Sequence, residues 1–403
     1  MLINLDRIKS NLLNVGEIGK NSQGGITRLA FSKEYFDAVN ALKTLFNEQG
    51  LSVEVDRIGN VIGKRDGKHD LPSIMIGSHL DTVKNGGLYD GALGVIAALE
   101  CVCVLNDNEI ITNHPIEIIA FNAEEGSEMG GTFGSRVIMG KENLSEPNLQ
   151  TKLNNYNLTI DDLKKSVRDS ENIKAFLELH IEQGGYLENN NISIGVVNGI
   201  TGIIRYSISI KGEANHAGTT PMDIRKDALT MASKLILKIH EISKDIGRPF
   251  VSTIGQLTVK PGDVNVIPGE VNLVLEMRDM NKENIDKAIN EIKKYTNSIQ
   301  DYKFEYQFLI DKPNVETDKT ITEIIRQICI NSNIKHEVIP SGAGHDAKEI
   351  AAKIPIGMIF VPSKDGKSHC PEEFTEWKDI DTGVQVLFDT LIEVDNLEWI
   401  LQL

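Results

Sequence analysis

The chain has 403 residues, with 58 Asp and Glu against 42 Lys and Arg, for a net charge of −16. That length accommodates two domains and a sizeable core, while the acidity argues against a nucleic-acid backbone or an anionic membrane as partner. No basic region followed by an apolar stretch opens the chain, no apolar run approaches a membrane span, and the four cysteines form neither a CxxC pair nor a disulfide framework, so a reducing cytoplasm is the expected location.

Strand and helix alternate through the first half. Val53 to Val61 and Ser73 to Ile76 read as strands, and Gly91 to Leu105 as a helix with Val95, Ala98, Leu99, Val102 and Leu105 at helical spacing. Ile116 to Phe121, Lys174 to Ile181 and Ile192 to Val197 are β-branched runs suited to strands buried on both faces, with a turn at Glu188 to Asn191 between the last two. This is a three-layer α/β/α pattern with a largely parallel or mixed sheet. From about Gly202 the style changes. Arg205 to Lys211 alternates like a half-solvated strand, an amphipathic helix runs from Arg225 to Asp245, and strands follow at Ser252 to Lys260 and Val271 to Arg278. A helix from Lys282 to Thr296 and a strand from Lys303 to Leu309 complete a β-α-β-β-α-β order, the split unit of a ferredoxin-like α+β domain. The first style resumes after Pro313, with a strand at Gly357 to Val361 and a last helix from Ile380. Residues 202–313 are therefore expected as a domain inserted into a catalytic domain made of 1–201 and 314–403.

Chemistry-bearing residues gather where the strands run out. Gly77-Ser78-His79-Leu80-Asp81 closes one strand, Tyr89-Asp90-Gly91 forms a turn, and Glu124-Glu125 closes another. His180 sits in Glu178-Leu179-His180-Ile181-Glu182-Gln183-Gly184, and His369 in Lys367-Ser368-His369-Cys370-Pro371. Strand ends are the usual place for a site in an α/β sheet. His79, Asp90, Glu125, His180 and His369 form a nitrogen and oxygen ligand set suited to Zn, Mn, Co or Ni acting on water. Two such ions about 3.5 Å apart need a bridging carboxylate, which Asp90 in its turn can supply. Asp81, two residues beyond His79 on the same strand face, is expected to accept the other ring N–H. Neighbouring residues at a strand end point to opposite sides, so Glu125 is assigned to metal and Glu124 to general base.

These blocks resemble the amidase/hydantoinase/carbamoylase family of two-metal amidohydrolases, within the aminopeptidase-like metallopeptidase superfamily. The resemblance runs through GGITRLAFS, GSHLDTV, YDGALGV, FNAEEGSEMGGTFGSR, ELHIEQG, NHAGTTPM, VNVIPG, LEMRD, SGAGHDA and VPSKDGKSHCPEE, in order along the chain. It implies two divalent ions held by the five ligands named above, with Glu124 as base. It implies that the inserted domain is a lid through which a homodimer forms, and that His216 stabilises the oxyanion from the neighbouring subunit. It further implies that Gln183 contacts a ureido group, that Asn265 and Arg278 bind substrate, and that Gly344 and His345 line the end holding a substrate carboxylate. The implied reaction is hydrolysis of the ureido C–N bond of an N-carbamoyl-L-amino acid. Allantoate is the nearest alternative substrate, followed by β-ureidopropionate and dipeptides.

Overall fold

Four apolar runs, each covered on both faces, organise the larger part of the molecule. A computed structural model describes residues 1–398, and in it the chain divides into two units, Met1–Asn198 with Glu316–Leu403, and Gly199–Val315. Residues 399–403, part of the range expected for the catalytic domain, lie outside the described residues.

In chain order the strands are β1 (Ser52–Val55), β2 (Val61–Arg65), β3 (Ser73–His79), β4 (Ile116–Phe121), β5 (Ile173–Ile181) and β6 (Ile194–Ile200). The smaller unit holds β7 (Gly202–Lys211), β8 (Val251–Lys260), β9 (Glu270–Asp279) and β10 (Lys303–Lys312). The chain returns through β11 (Val315–Glu316), β12 (His336–Ser341) and β13 (Ile356–Val361).

The large sheet is mixed, ordered β1-β2-β4-β3-β5-β13-β6-β11, with β12 paired to β6. Its centre, β4-β3-β5-β13, is parallel throughout, and every residue of those four strands is buried. Parallel strands need helices on both faces, so they read as unbroken apolar runs. The helix Ala92–Asp107 is correspondingly apolar around its circumference and buried from Ala92 to Leu105. It comes close to the sheet because Gly94 has no side chain: a Cβ there would lie 2.4 Å from the Leu179 carbonyl oxygen and 2.7 Å from Ser78 Cβ.

The smaller unit is an antiparallel sheet ordered β10-β7-β9-β8, with helices Ala228–Ile246 and Lys282–Asn297. Numbered within the unit that order is 4-1-3-2, the split βαβ arrangement. Its own core unites Ile204, Ile208 and Ile210 of β7 with Val271, Leu273, Leu275 and Met277 of β9 and with the apolar faces of both helices.

Three local readings are corrected. Val53 to Val61 is two strands, because the Asp56 carboxylate accepts the backbone N–H groups of Ile58 and Asn60 at 3.0 and 2.9 Å and Gly59 takes a left-handed φ of 91°. The chain turns there, and β1 pairs with β2 antiparallel. Glu188-Asn189 ends a short helix, Tyr186–Asn189, whose first amides are held by the Glu182 carboxylate. The last helix begins at Trp377, one turn before Ile380.

Because Ile76 is fully buried in a central parallel strand, Ile76→Ala is expected to cost about 2–5 kcal/mol. Chemical denaturation would register this as a lower midpoint. A loss below about 1 kcal/mol would contradict a strand closed on both faces.

Candidate metal centre

The carboxyl ends of the four central strands supply the site. His79 is the last residue of β3 and His180 the penultimate residue of β5. Glu124 and Glu125 follow β4, and His369 follows β13. Asp90 lies in the turn that leads into helix Ala92–Asp107, where Ala92 N–H bonds the Asp90 carbonyl and Leu93 N–H the Tyr89 carbonyl.

Three imidazoles converge on one carboxylate. His79 Nε2 and His180 Nε2 lie 3.3 and 3.1 Å from Asp90 Oδ1. His369 Nε2 lies 3.2 Å from Asp90 Oδ2 and 3.3 Å from Glu125 Oε2. Donor atoms placed tetrahedrally about an ion at roughly 2.0–2.1 Å stand about 3.3 Å apart, so these spacings suit coordination. Two donor groups result, His79–Asp90–His180 and Asp90–Glu125–His369, with Asp90 common to both. A third grouping, Glu178–His180–His345, shares His180.

The ring orientations support the same fit. His79 Nδ1 lies 3.0 Å from the Asp81 carbonyl oxygen and His180 Nδ1 lies 2.9 Å from the Ile181 carbonyl oxygen. A carbonyl can only accept, so each Nδ1 carries a proton and each Nε2 is the nitrogen left facing Asp90, where a cation would displace any proton it holds. His180 Nε2 and Glu125 Oε1 are buried and have no hydrogen-bond partner, an arrangement costly in the absence of a cation.

Electrostatics follow from this crowding of acids. Burial by itself would raise the Asp90 carboxyl pKa, but the imidazoles of His180, His369 and His79 set against it hold it well below the ordinary carboxylate range. Burial, with the Asp90 charge beside it, lifts Glu125 to about 7. Burial also pushes Glu124 well above its usual value, with the Asp346 and Glu125 charges adding to the effect. The hydrogen bond to Asp90, together with the Glu125 charge, raises His369 to about 9 despite partial burial.

Asp81 acts differently from the sequence expectation. Its carboxylate is 3.9 Å from His79 Nδ1, beyond hydrogen-bond reach; the backbone carbonyl takes that position. Its two oxygens instead accept the backbone N–H groups of Glu124 and Glu125, at 3.1 Å each. His345 also departs from expectation. It is 2% exposed, its Nε2 meets Ser341 Oγ at 2.9 Å, and its ring packs on His180 at 4.6 Å, while Gly344 next to it is exposed. Gln183 Nε2 donates to Asp90 Oδ2 at 2.8 Å, at the edge of the centre.

His216, Asn265 and Arg278 belong to the smaller unit. There the His216 and Asn265 segments pair: Ala217 N–H bonds the Asn265 carbonyl at 2.9 Å, and Ile267 N–H the Asn215 carbonyl at 2.8 Å. His216 Nδ1 accepts the Gly218 N–H at 3.0 Å, which leaves Nε2 as the proton-bearing nitrogen of an exposed ring. Arg278 on β9 pairs with Glu276 through Nη2 at 2.7 Å.

Residues overlooked in the sequence lie one layer further in. Glu178 accepts from Ser78 Oγ at 2.8 Å and from Ala347 N–H at 3.2 Å, and Asp346 accepts from Ser135 Oγ at 2.6 Å. Glu178 stands two residues before His180, on the same strand face, and this alternation was the available signal. Ser135 and Asp346 lie within the FNAEEGSEMGGTFGSR and SGAGHDA blocks, where nothing set them apart from their neighbours.

Residues 75–393 match Peptidase family M20/M25/M40. The chain belongs to this family. It is 37% identical to the N-carbamoyl-L-amino-acid amidohydrolase of Pseudomonas sp. (strain NS671), over 97% of this chain and 98% of that one. The allantoate amidohydrolase of Escherichia coli (strain K12) is 33% identical over 94% and 95% of the two chains. Among solved structures, an amidase of the hydantoinase/carbamoylase family from Burkholderia multivorans superposes with a TM-score of 0.88 at 30% identity, over 98% of each chain. Family membership and the convergent donor groups identify the chain as a hydrolase with candidate metal-binding residue clusters. Among the described residues, no helix is long and apolar enough to cross a membrane.

Gly91 is needed for this geometry. Its φ of 67° is open chiefly to glycine, and a Cβ would lie 2.4 Å from the His79 ring. Gly91→Ala is expected to weaken metal binding tenfold or more, measured by equilibrium dialysis; unchanged affinity would contradict the close fit. A second expectation concerns pH. With His369 lifted to about 9, its ring is protonated at pH 7 and must lose that proton to bind a cation. Metal uptake at pH 7 should therefore release at least one proton, and apparent affinity should rise at least about tenfold per pH unit until about pH 9. Calorimetry in buffers of different ionisation enthalpy counts the protons, and zero release would refute the arrangement.

Proposed function

We propose that this protein is a two-metal amidohydrolase that cleaves the ureido C–N bond of an N-carbamoyl-L-amino acid, giving the amino acid, ammonia and carbon dioxide. The observation that carries the reading is the sharing of Asp90 between two donor groups, with Glu124 Oε2 standing 3.9 Å from His79 Nε2 and outside both. His79, Asp90 and His180 would hold one ion, and Asp90, Glu125 and His369 the other. Zn, Mn, Co and Ni all suit these ligands. When bound, such ions lower the pKa of water toward neutrality and polarise the ureido carbonyl.

The protein's own groups account for the remaining steps. Glu124 takes a proton from the attacking water and delivers it to the leaving nitrogen; burial tunes its carboxyl upward for that task. Asp81 acts as a positioning residue, since its carboxylate holds the amides of Glu124 and Glu125 together. Gln183 meets the ureido group from beside Asp90. Arg278 pairs with the substrate carboxylate through its planar fork, and Asn265 is a further substrate-binding residue. The loop at Gly344 and His345 borders the carboxylate end, with Gly344 as its exposed face. The protein works as a homodimer in the cytoplasm, with His216 of the partner subunit donating from Nε2 to the developing oxyanion. Such a donor contributes roughly 2–4 kcal/mol to lowering the barrier.

The carbamoyl reading is preferred to allantoate because the N-carbamoyl-L-amino-acid amidohydrolase of Pseudomonas is the more similar of the two curated relatives compared, at 37% against 33% identity. The test is ammonia release by the Mn- or Co-loaded protein with N-carbamoyl-L- and D-amino acids and allantoate side by side. Fastest turnover of an L-carbamoyl amino acid is expected, and preference for allantoate would replace the substrate assignment. Glu124→Gln should keep full metal content and lose at least about 10²-fold in kcat. Activity surviving that change would overturn the base assignment.

A further inference from the structure

Asp90 and His369 share a donor group but reach it from segments far apart in sequence, one after β3 and the other after β13. One buried carboxylate, that of Glu373, ties those segments together. Its Oε1 accepts the backbone N–H groups of Tyr89 at 2.8 Å and of Asp90 itself at 3.0 Å. Its Oε2 accepts the backbone N–H of His369 at 3.3 Å and the Ser368 hydroxyl at 2.9 Å. Ser368 Oγ also lies 3.0 Å from Asp90 Oδ2, so the hydroxyl stands between the two acids. Glu373 is 5% exposed, and the backbone at Gly87 rests directly on it: a Cβ there would fall 2.1 Å from Oε1.

These bonds hold the main chain of two ligands and consume none of the donor atoms that face a cation. Hydrogen bonds to an ionised carboxylate are roughly twice as strong as neutral ones, and severing them in a buried site leaves amides unsatisfied. The two donor groups depend on this link unequally. His79 and His180 are carried by β3 and β5, whose ladders fix them, and the Asp90 turn has a second anchor in the helix that starts at Ala92. His369 has no strand beneath it. It sits in a loop at a left-handed φ of 58°, with its side chain 48% exposed.

We infer that Glu373 is a positioning residue that sets the spacing of the Asp90–Glu125–His369 group, so that its loss weakens the ion held there and spares the ion at His79–Asp90–His180. The inference rests on the two-ion reading above. In Glu373→Gln one acceptor oxygen becomes an NH₂ group. Whichever way the amide turns, a donor faces backbone N–H groups at Asp90 or at His369, and the tie fails on one side.

The test is titration of the full-length, metal-free protein with cobalt(II), followed by calorimetry and by visible absorption of the bound ion. The wild type should take up two ions. Glu373→Gln should take up one at wild-type affinity and the other at least tenfold more weakly, with kcat restored by excess cobalt and KM unchanged. Retention of the first ion reports that the variant is folded. Should Glu373→Gln fail to fold, Ser368→Ala, which removes one contact to Oε2 and the hydroxyl beside Asp90 Oδ2, should show a smaller loss of the same ion. Wild-type uptake of both ions by the variant, equal loss of both, or lost turnover that excess cobalt does not restore would overturn the inference. A wild type that binds fewer than two ions would instead refute the two-ion reading, and the inference with it.

Discussion

A single carboxylate, that of Asp90, faces three imidazole nitrogens within 3.1 to 3.3 Å, and the rest of the centre is arranged around it. Asp81, Glu124, Glu125, Glu178 and Asp346 crowd the same buried region. Burial pushes their carboxyl groups upward, with neighbouring acid charges adding to it at Glu124, Glu125 and Asp346, while the three histidines hold Asp90 down. So many acids with so little water lie under strong pressure to bind protons or cations. Orientation favours cations: the Nδ1 protons are tied to backbone carbonyls, which turns the Nε2 atoms inward.

The fold makes this arrangement possible by ending four parallel strands at one edge. Ladders fix His79 and His180, and the chain then bends sharply to present the remaining groups. Ala123, Gln183 and His369 all adopt left-handed backbone conformations, at φ of 61°, 58° and 58°. Such conformations cost of order 1–3 kcal/mol each and persist where the surroundings over-determine them. Here the surroundings are visible: Asp81 clamps the amides after Ala123, Ser363 Oγ holds the Gln183 amide, and Glu373 holds that of His369.

Much of this was legible in the residues. The β-branched runs located the central strands, and the β-α-β-β-α-β order located the smaller unit's topology, because burial on two faces or one leaves different periodicities. Convergence of His79, Asp90, Glu125, His180 and His369 followed from placing each at a strand end or in the turn after one. Orientation was less legible. Same-face spacing put the Asp81 carboxylate against the His79 ring, but the strand ends at His79 and the alternation ends with it, so the carbonyl takes the ring and the carboxylate swings to the β4 loop. His345 was read as facing substrate, yet its ring turns under His180, a packing that no local pattern encodes. The turn at Asp56 to Asn60 did carry a signal in Gly59-Asn60, overridden by the valines on either side. The short helices Phe133–Ile138, Leu149–Asn154 and Ile160–Ser166 had too few turns to establish a period.

The most direct test of the central role of Asp90 is anomalous diffraction from crystals of the cobalt-loaded protein. Two peaks about 3.5–4 Å apart, one beside Oδ1 with His79 and His180 and the other beside Oδ2 with Glu125 and His369, are the predicted result. A single peak, or two peaks of which only one touches Asp90, would contradict it.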